Sequence, residues 1–276
     1  MQTNDCCNFI PGQIPAGARS HRINFQTSDP PLPEYKGLFA AVIENVFTEN
    51  ECNELIRLAE STTLTGVSST PTWGRATINV GNGKQMLVAD ERNCGRIIYD
   101  SQVLAERLLA RLMPFFQEYG IDNIENEPLV TGLAGRNKAY HLTRLNERLR
   151  FLRYKGDEYF RPHWDANYTT PDRQEKSFYT IHLYLNGDGE QDLEELRQAK
   201  LRLNQRKDVN LGVEGKLLGG STSFIPRFEE EDRQLRVFPK TGSVLVFQQN
   251  NLLHGGDPVF QGTKFTMRTD IMYQQR

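Results

Sequence analysis

From residue 145 onward the chain breaks into short runs of β-branched and aromatic residues: LRFLRYKG, SFYTIHLYLN, GGSTSFIP, RVFPKTGSVLVFQQ and KFTMRTDIMYQ. Each run is bounded by glycine, proline, asparagine or aspartate, the residues that favour turns. Five or more such strands in succession restrict this half of the chain to a sandwich, a barrel or a jelly roll. One segment interrupts them. Residues 188–218, DGEQDLEELRQAKLRLNQRKDVNLGVEGKLL, are charged and helix-prone, and read as a surface insertion and a candidate lid.

The first half reads differently. GLFAAVIENVF is a strand, and Thr48-x-x-Glu51 is a capping box that opens a helix on FTENECNELIRLAES, with Cys52, Leu55, Ile56 and Ala59 at helical spacing. A second helix is predicted through DSQVLAERLLARLMPFFQEYG, with Leu104, Leu108 and Leu112 on one side and Gly120 at its end. Residues 1–37 are rich in proline, glycine and asparagine and read as an irregular arm. At 276 residues the chain fits one large domain, with residues 38–135 as a helical support layer for a β core over 136–276.

A net charge of −2 gives no basic face overall, so no nucleic-acid partner is expected. The N-terminus lacks an apolar signal region and no run approaches the about 18 residues that a membrane span needs, so a cytoplasmic protein without a membrane partner is expected. The four cysteines, Cys6, Cys7, Cys52 and Cys94, lack zinc-ligand spacing and read as reduced thiols. Nothing in the sequence sets an oligomeric state.

Within RPHWDANY, His163 and Asp165 stand at i and i+2, so on a strand both side chains point the same way. QQNNLLHGGDPV places His254 in a glycine-rich turn after the apolar strand SVLVF. Two neutral imidazoles and one carboxylate are the facial triad of a non-haem Fe(II) oxygenase, which leaves three positions open for a bidentate keto acid and O₂. Zinc also accepts two histidines and a carboxylate, so a zinc hydrolase fits the same ligands.

The surrounding segments are more specific. RYKGDEYFRPHWD, TIHLYLN, GGSTSF, PKTGSVLVF and HGGDPVFQGTK resemble, in order and spacing, the catalytic core of the prolyl 4-hydroxylase-like Fe(II)/2-oxoglutarate dioxygenases. The resemblance runs from residue 150 to the C-terminus. It implies an α+β fold with a double-stranded β-helix core (jelly-roll, cupin-like) and supporting N-terminal helices. It also implies Fe(II) held by His163, Asp165 and His254, with 2-oxoglutarate and O₂ as cosubstrates and ascorbate as a candidate reductant.

By the same resemblance Lys264 is the cation for the distal carboxylate of 2-oxoglutarate, and Tyr154 and Thr180 are its hydroxyl donors. Arg268, four residues after Lys264, is the alternative cation, and its planar fork suits a carboxylate. His182 occupies a position where the family carries an apolar residue, so it is a candidate substrate contact or a hydrogen-bonded core histidine. Arg150 shares the strand face of Tyr154 and is a second substrate candidate. DERNCGRIIYD offers Arg92, Asn93 and Arg96, of which Arg96 is the third. Trp164 points to the other strand face and reads as packing. No protein acid or base is expected beside the iron centre.

The expected activity is oxidation of an unactivated C–H bond, by hydroxylation or a related outcome, with decarboxylation of 2-oxoglutarate to succinate and CO₂. The expected substrate is a small molecule such as an amino acid or a secondary metabolite. The alternatives are a protein or peptidyl prolyl hydroxylase and a non-catalytic metal-binding jelly-roll module.

Overall fold

The computed structural model describes residues 8–64, 69–79, 84–205, 215–230 and 232–276. Antiparallel sheets dominate it, with few helices. The main sheet runs, from one edge to the other, through Arg19–Arg22, Ala40–Glu44, Val244–Gln248, Glu175–Tyr184, Thr263–Gln275, Arg148–Lys155, Gly95–Asp100 and Gly74–Arg75. Ala139–Leu145 pairs with the far end of the long strand Thr263–Gln275 and carries Asn123–Glu125 beside it. A second sheet orders Leu235–Val237, Thr222–Phe224, His254–Gly256, Tyr159–His163 and Arg92–Asn93.

Alternation along the central strands decides what each face meets. Leu149, Phe151, Ile181, Leu183, Met267 and Ile271 are buried on one face, in one cluster with Leu55, Ala59, Leu104, Leu108 and Leu112 of the two helices. The register pairs Tyr154 with Lys264, Leu152 with Thr266, and Arg150 with Arg268. It also pairs Tyr184 with Thr266, His182 with Arg268, and Thr180 with Asp270. These side chains, polar except for Leu152, share the opposite face, which looks toward the second sheet. In Val244–Gln248 both faces are covered. Val244 and Val246 join the helix-side cluster, and Leu245 and Phe247 pack with Phe224 of the second sheet.

The helices form where their signals place them. In Glu49–Ser61 the Glu51 N–H donates to Thr48 Oγ1 (3.3 Å) and the Thr48 N–H donates to Glu51 Oε2 (2.8 Å). Glu51 also receives the fully buried Arg111 at 2.8 Å, which ties this helix to Gln102–Glu118. Breaking such a pair by removing one charge typically costs about 3–5 kcal/mol.

Residues 38–135, expected as a helical layer, also supply strands to both sheets. Ala40–Glu44 and Gly95–Asp100 extend the main sheet on either side, and Arg92–Asn93 extends the second. The arm likewise adds Arg19–Arg22 at the main sheet's edge, antiparallel to Ala40–Glu44. Main-chain pairing at an edge needs no apolar side-chain pattern, so ARSHR carries no strand signal in its composition. Further along the arm, Phe25, Leu32 and Tyr35 are buried against Phe224 and Phe247. Residues 1–7, with Cys6 and Cys7, lie outside the described residues, whereas Cys52 and Cys94 are free and buried.

Within the 188–218 insertion a helix spans Leu193–Gln205. The Asp192 carboxylate accepts from the backbone N–H groups of Glu194 and Glu195, and Ala199 packs on Leu218 and Phe260. Residues 206–214 of the insertion lie outside the described residues. Among the described residues no helix is long and apolar enough to cross a membrane.

The turn before Val244–Gln248 fixes how the two halves join. Gly242 sits at φ +74°, its carbonyl accepts from the N–H groups of Val46 and Phe47, and a Cβ there would stand 1.8 Å from the Phe47 carbonyl oxygen. Gly242→Ala therefore combines a left-handed backbone penalty with a backbone clash. We expect a stability loss above about 2 kcal/mol in urea unfolding monitored by circular dichroism.

Candidate metal centre

His163 ends the strand Tyr159–His163, and its Cα partner across the second sheet is His254, the first residue of His254–Gly256. The two rings therefore stand side by side, with centroids 4.5 Å apart. His163 Nδ1 lies 2.8 Å from the Arg161 carbonyl oxygen, and His254 Nδ1 lies 3.1 Å from that of Leu252. A carbonyl can only accept, so each Nδ1 carries a proton, and in the neutral ring this leaves the Nε2 lone pair for a metal. His163 is held further by stacking on Phe160, with centroids 3.7 Å apart and planes 23° from parallel.

Asp165 completes the group by another route. The strand ends at His163, so the carboxylate is set by its partners, not by strand alternation. Thr180 Oγ1 donates to Asp165 Oδ2 at 2.7 Å, and Arg268 Nη2 forms an ion pair with Oδ1 at 2.9 Å. Burial works against ionisation of Asp165, but Arg268 and the two histidines hold its carboxyl well below the usual range. Burial pushes the His254 imidazole down to about 4 against the opposing pull of Asp165, so it is neutral at physiological pH.

The three ligating atoms lie within 4.8 Å of one another. His163 Nε2 is 3.6 Å from Asp165 Oδ1, and His254 Nε2 is 3.7 Å from Oδ2. These gaps are too long for hydrogen bonds. Ligands about 2.1 Å from one ion, at right angles to each other, stand roughly 3 Å apart, so a small contraction closes the set. His254 Nε2 is buried with no hydrogen-bond partner among the described residues. A buried acceptor left unsatisfied costs about 1–3 kcal/mol, and a bound cation satisfies it. The donor set fits a divalent metal with open positions.

The cavity above these ligands is lined by Tyr154, His182, Lys264 and Arg268 among the predicted residues. Lys264 is buried, with Nζ 5.1 Å from the Tyr154 ring centroid and 5.7 Å from that of Tyr184. Burial lowers its ammonium to about 8, with Asp257 opposing the shift. Burial, and then Arg268, hold the His182 imidazole well below its usual range.

Thr180 and Arg268, read from the sequence as cosubstrate donors, are both turned onto Asp165. Arg150 donates to Asp270 Oδ2 at 3.1 Å. Arg96 donates to Thr77 Oγ1 at 2.8 Å, outside the cavity lining. Trp164 is 55% exposed and meets Phe228 edge-on at 5.2 Å, so it packs on a loop at the surface and not in the core.

Several contributors had no sequence signal. Gln249 Nε2 donates to Thr180 Oγ1 and to Asp270 Oδ1, both at 3.2 Å, and its Oε1 accepts from Asn167 and Ser177. Asp270 also faces Arg268 at 3.5 Å. This network braces the ligand carboxylate from behind. Arg268→Met would leave both Asp165 and Asp270 short of a buried partner, and Arg268→Lys would restore the charge but not the fork. We expect Arg268→Met to weaken Mn(II) binding about 10- to 100-fold in an EPR titration, with partial recovery in Arg268→Lys.

Two imidazoles and one carboxylate brought to one point in a β-rich fold are a ligand set for a single metal ion with open positions. Residues 149–269 match the 2OG-Fe(II) oxygenase superfamily, a class of dioxygenases that use Fe(II), 2-oxoglutarate and O₂. Three solved structures are similar to the chain. One is the viral collagen prolyl hydroxylase of Paramecium bursaria Chlorella virus-1 in complex with 2-oxoglutarate (15% identity, 87% of this chain and 98% of that chain, TM-score 0.48). Another is a Pseudomonas putida prolyl-4-hydroxylase (14%, 88% and 96%, TM-score 0.46). The third is HygX from Streptomyces hygroscopicus with nickel and 2-oxoglutarate bound (13%, 87% and 84%, TM-score 0.42). No curated protein matches the chain in sequence.

Proposed function

We propose that the protein couples decarboxylation of 2-oxoglutarate to oxidation of an unactivated C–H bond in a small molecule, such as an amino acid or a secondary metabolite. The observation that carries this reading is the placement of Lys264. It is a buried ammonium with no ion pair among the described residues, in the same cavity as both histidine ligands. The facing antiparallel sheets support a double-stranded β-helix as the core. The continuous burial across helices and sheets supports residues 38–135 as part of the same unit.

In this reading His163, Asp165 and His254 hold the iron, and Lys264 and Tyr154 take the distal carboxylate of 2-oxoglutarate. Bound iron with 2-oxoglutarate supplies activation of O₂, so that substrate R–H, O₂ and 2-oxoglutarate give R–OH, succinate and CO₂. The protein's own residues position and exclude. Thr180 and Arg268 orient the ligand carboxylate, the backbone carbonyls of Arg161 and Leu252 fix the imidazole tautomers, and Leu152 and Phe160 add apolar surface to an otherwise polar cavity. No side chain needs to transfer a proton.

The test is 2-oxoglutarate-dependent O₂ uptake and succinate release, screened over amino acids, metabolites and proline-containing peptides. Turnover stimulated by a small molecule supports the proposal. Stimulation by peptides alone would replace it with a prolyl hydroxylase, and O₂-independent turnover with zinc would replace it with a hydrolase.

Lys264 also gives a pH dependence. Its cation is present below about pH 8 and is lost above it. Affinity for 2-oxoglutarate should therefore be full below pH 8 and fall about tenfold per unit above it, because binding must then take up one proton. Calorimetric titration between pH 7 and 9.5 checks this.

A further inference from the structure

Lys264, Arg268 and Arg150 each have a counter-charge in the proposed reading. The distal carboxylate of 2-oxoglutarate meets Lys264, and Asp165 and Asp270 meet the two arginines. Arg92 has none. It is 7% exposed and lines the cavity with the histidine ligands. Its Nε is buried without a hydrogen-bond partner, and no carboxylate pairs with it among the described residues. Its guanidinium lies 4.4 Å from the Phe160 ring centroid, and Phe160 in turn stacks on His163. Burial raises the Tyr154 hydroxyl above its usual range, and the positive charge of Arg92 beside it opposes that shift. Arg96 adds to the positive potential, and its own hydrogen bonds go to the neutral Thr77 and Gln85. A buried guanidinium that is fixed by stacking and lacks a counter-charge is costly unless an anion joins it.

We infer that Arg92 anchors a carboxylate of the primary substrate, which is therefore a small carboxylic or amino acid held next to the iron. This rests on the oxygenase reading above and narrows its substrate class. The guanidinium fork matches a carboxylate in its plane, and the Phe160 face holds that plane in place. Because one ring separates Arg92 from a metal ligand, the oxidised carbon is only a few bonds from the carboxylate. Arg92 lies outside the segment that defines the superfamily match, so it can set specificity without altering the shared machinery.

The test uses the anaerobic Fe(II) protein saturated with 2-oxoglutarate, probed with straight-chain carboxylates from acetate to hexanoate and with the matching amides. The reported quantity is the change in the charge-transfer absorption of the bound keto acid. Ligands of this size reach about millimolar affinity. We expect saturable changes with at least one carboxylate, at least tenfold weaker with its amide, lost in Arg92→Met and partly recovered in Arg92→Lys. The band itself reports that each variant is folded and holds its cosubstrate. Equal response to acid and amide, an unchanged response in Arg92→Met, or no response to any carboxylate up to about 100 mM would overturn the assignment. So would a weaker 2-oxoglutarate affinity in Arg92→Met, which would give this arginine to the cosubstrate. If no band forms in the wild type, the oxygenase reading itself fails, a result separate from all of these.

Discussion

His254→Ala is expected to lower Fe(II) affinity more than about 100-fold and to abolish turnover. Loss of an outer partner of a metal ligand alone weakens binding about 10- to 100-fold, so loss of one of three ligands must exceed that. His254 is 1% exposed, and its Nε2 has no protein partner among the described residues. The metal-free protein should respond quite differently. Deleting the ring opens a cavity beside Phe224 and Phe247, but it also removes an unsatisfied buried nitrogen, and the two effects partly offset. At a metal concentration 100 times the dissociation constant, binding stabilises the wild type by about 2.7 kcal/mol. Thermal unfolding with and without Mn(II) should show that increment in the wild type and almost none in His254→Ala. An equal increment in both proteins would place the metal elsewhere.

Lys264→Met should be the second large effect, confined to the cosubstrate. A buried carboxylate that loses its charged partner costs about 2–5 kcal/mol, so 2-oxoglutarate affinity should fall on the order of 100- to 1,000-fold. Methionine keeps much of the side-chain volume between Tyr154 and Tyr184, which limits the packing loss. The decisive comparison is with 2-oxobutanoate, a keto acid without the distal carboxylate. The wild type should prefer 2-oxoglutarate strongly, whereas the variant should bind the two nearly alike. Metal affinity should not change. If 2-oxoglutarate binding survives and Arg268→Met loses it, the cation role passes to Arg268.

The sequence exposed most of the features that local patterns control. The capping box at Thr48 and Glu51, the leucines of the second helix and the apolar run SVLVF each depend on near neighbours, and each appears in the structure. His163 and His254 were legible as candidate ligands because each sits beside a strong strand signal. The position of Asp165 was legible only in part. Its strand stops two residues too early for alternation to place it, and Thr180 and Arg268 hold it across 15 and 103 residues of chain. Arg92 was harder still. It enters the cavity because Arg92–Asn93 pairs with Tyr159–His163, a contact that nothing in ERNCG reports. The strand at Arg19–Arg22 is set by backbone pairing alone. Long-range register and buried charge networks are properties of the assembled sheets, and a single sequence does not display them.

The proposed chemistry requires that a keto acid chelate iron held by His163, Asp165 and His254. Anaerobic addition of Fe(II) and then 2-oxoglutarate to the metal-free protein, followed by visible absorption, tests it most directly. A weak, broad metal-to-ligand charge-transfer band that saturates with one equivalent of 2-oxoglutarate, and is absent in His254→Ala, is the predicted result. Tight Fe(II) binding with no band on adding the keto acid would contradict the account, leaving a metal-binding protein that does not use 2-oxoglutarate.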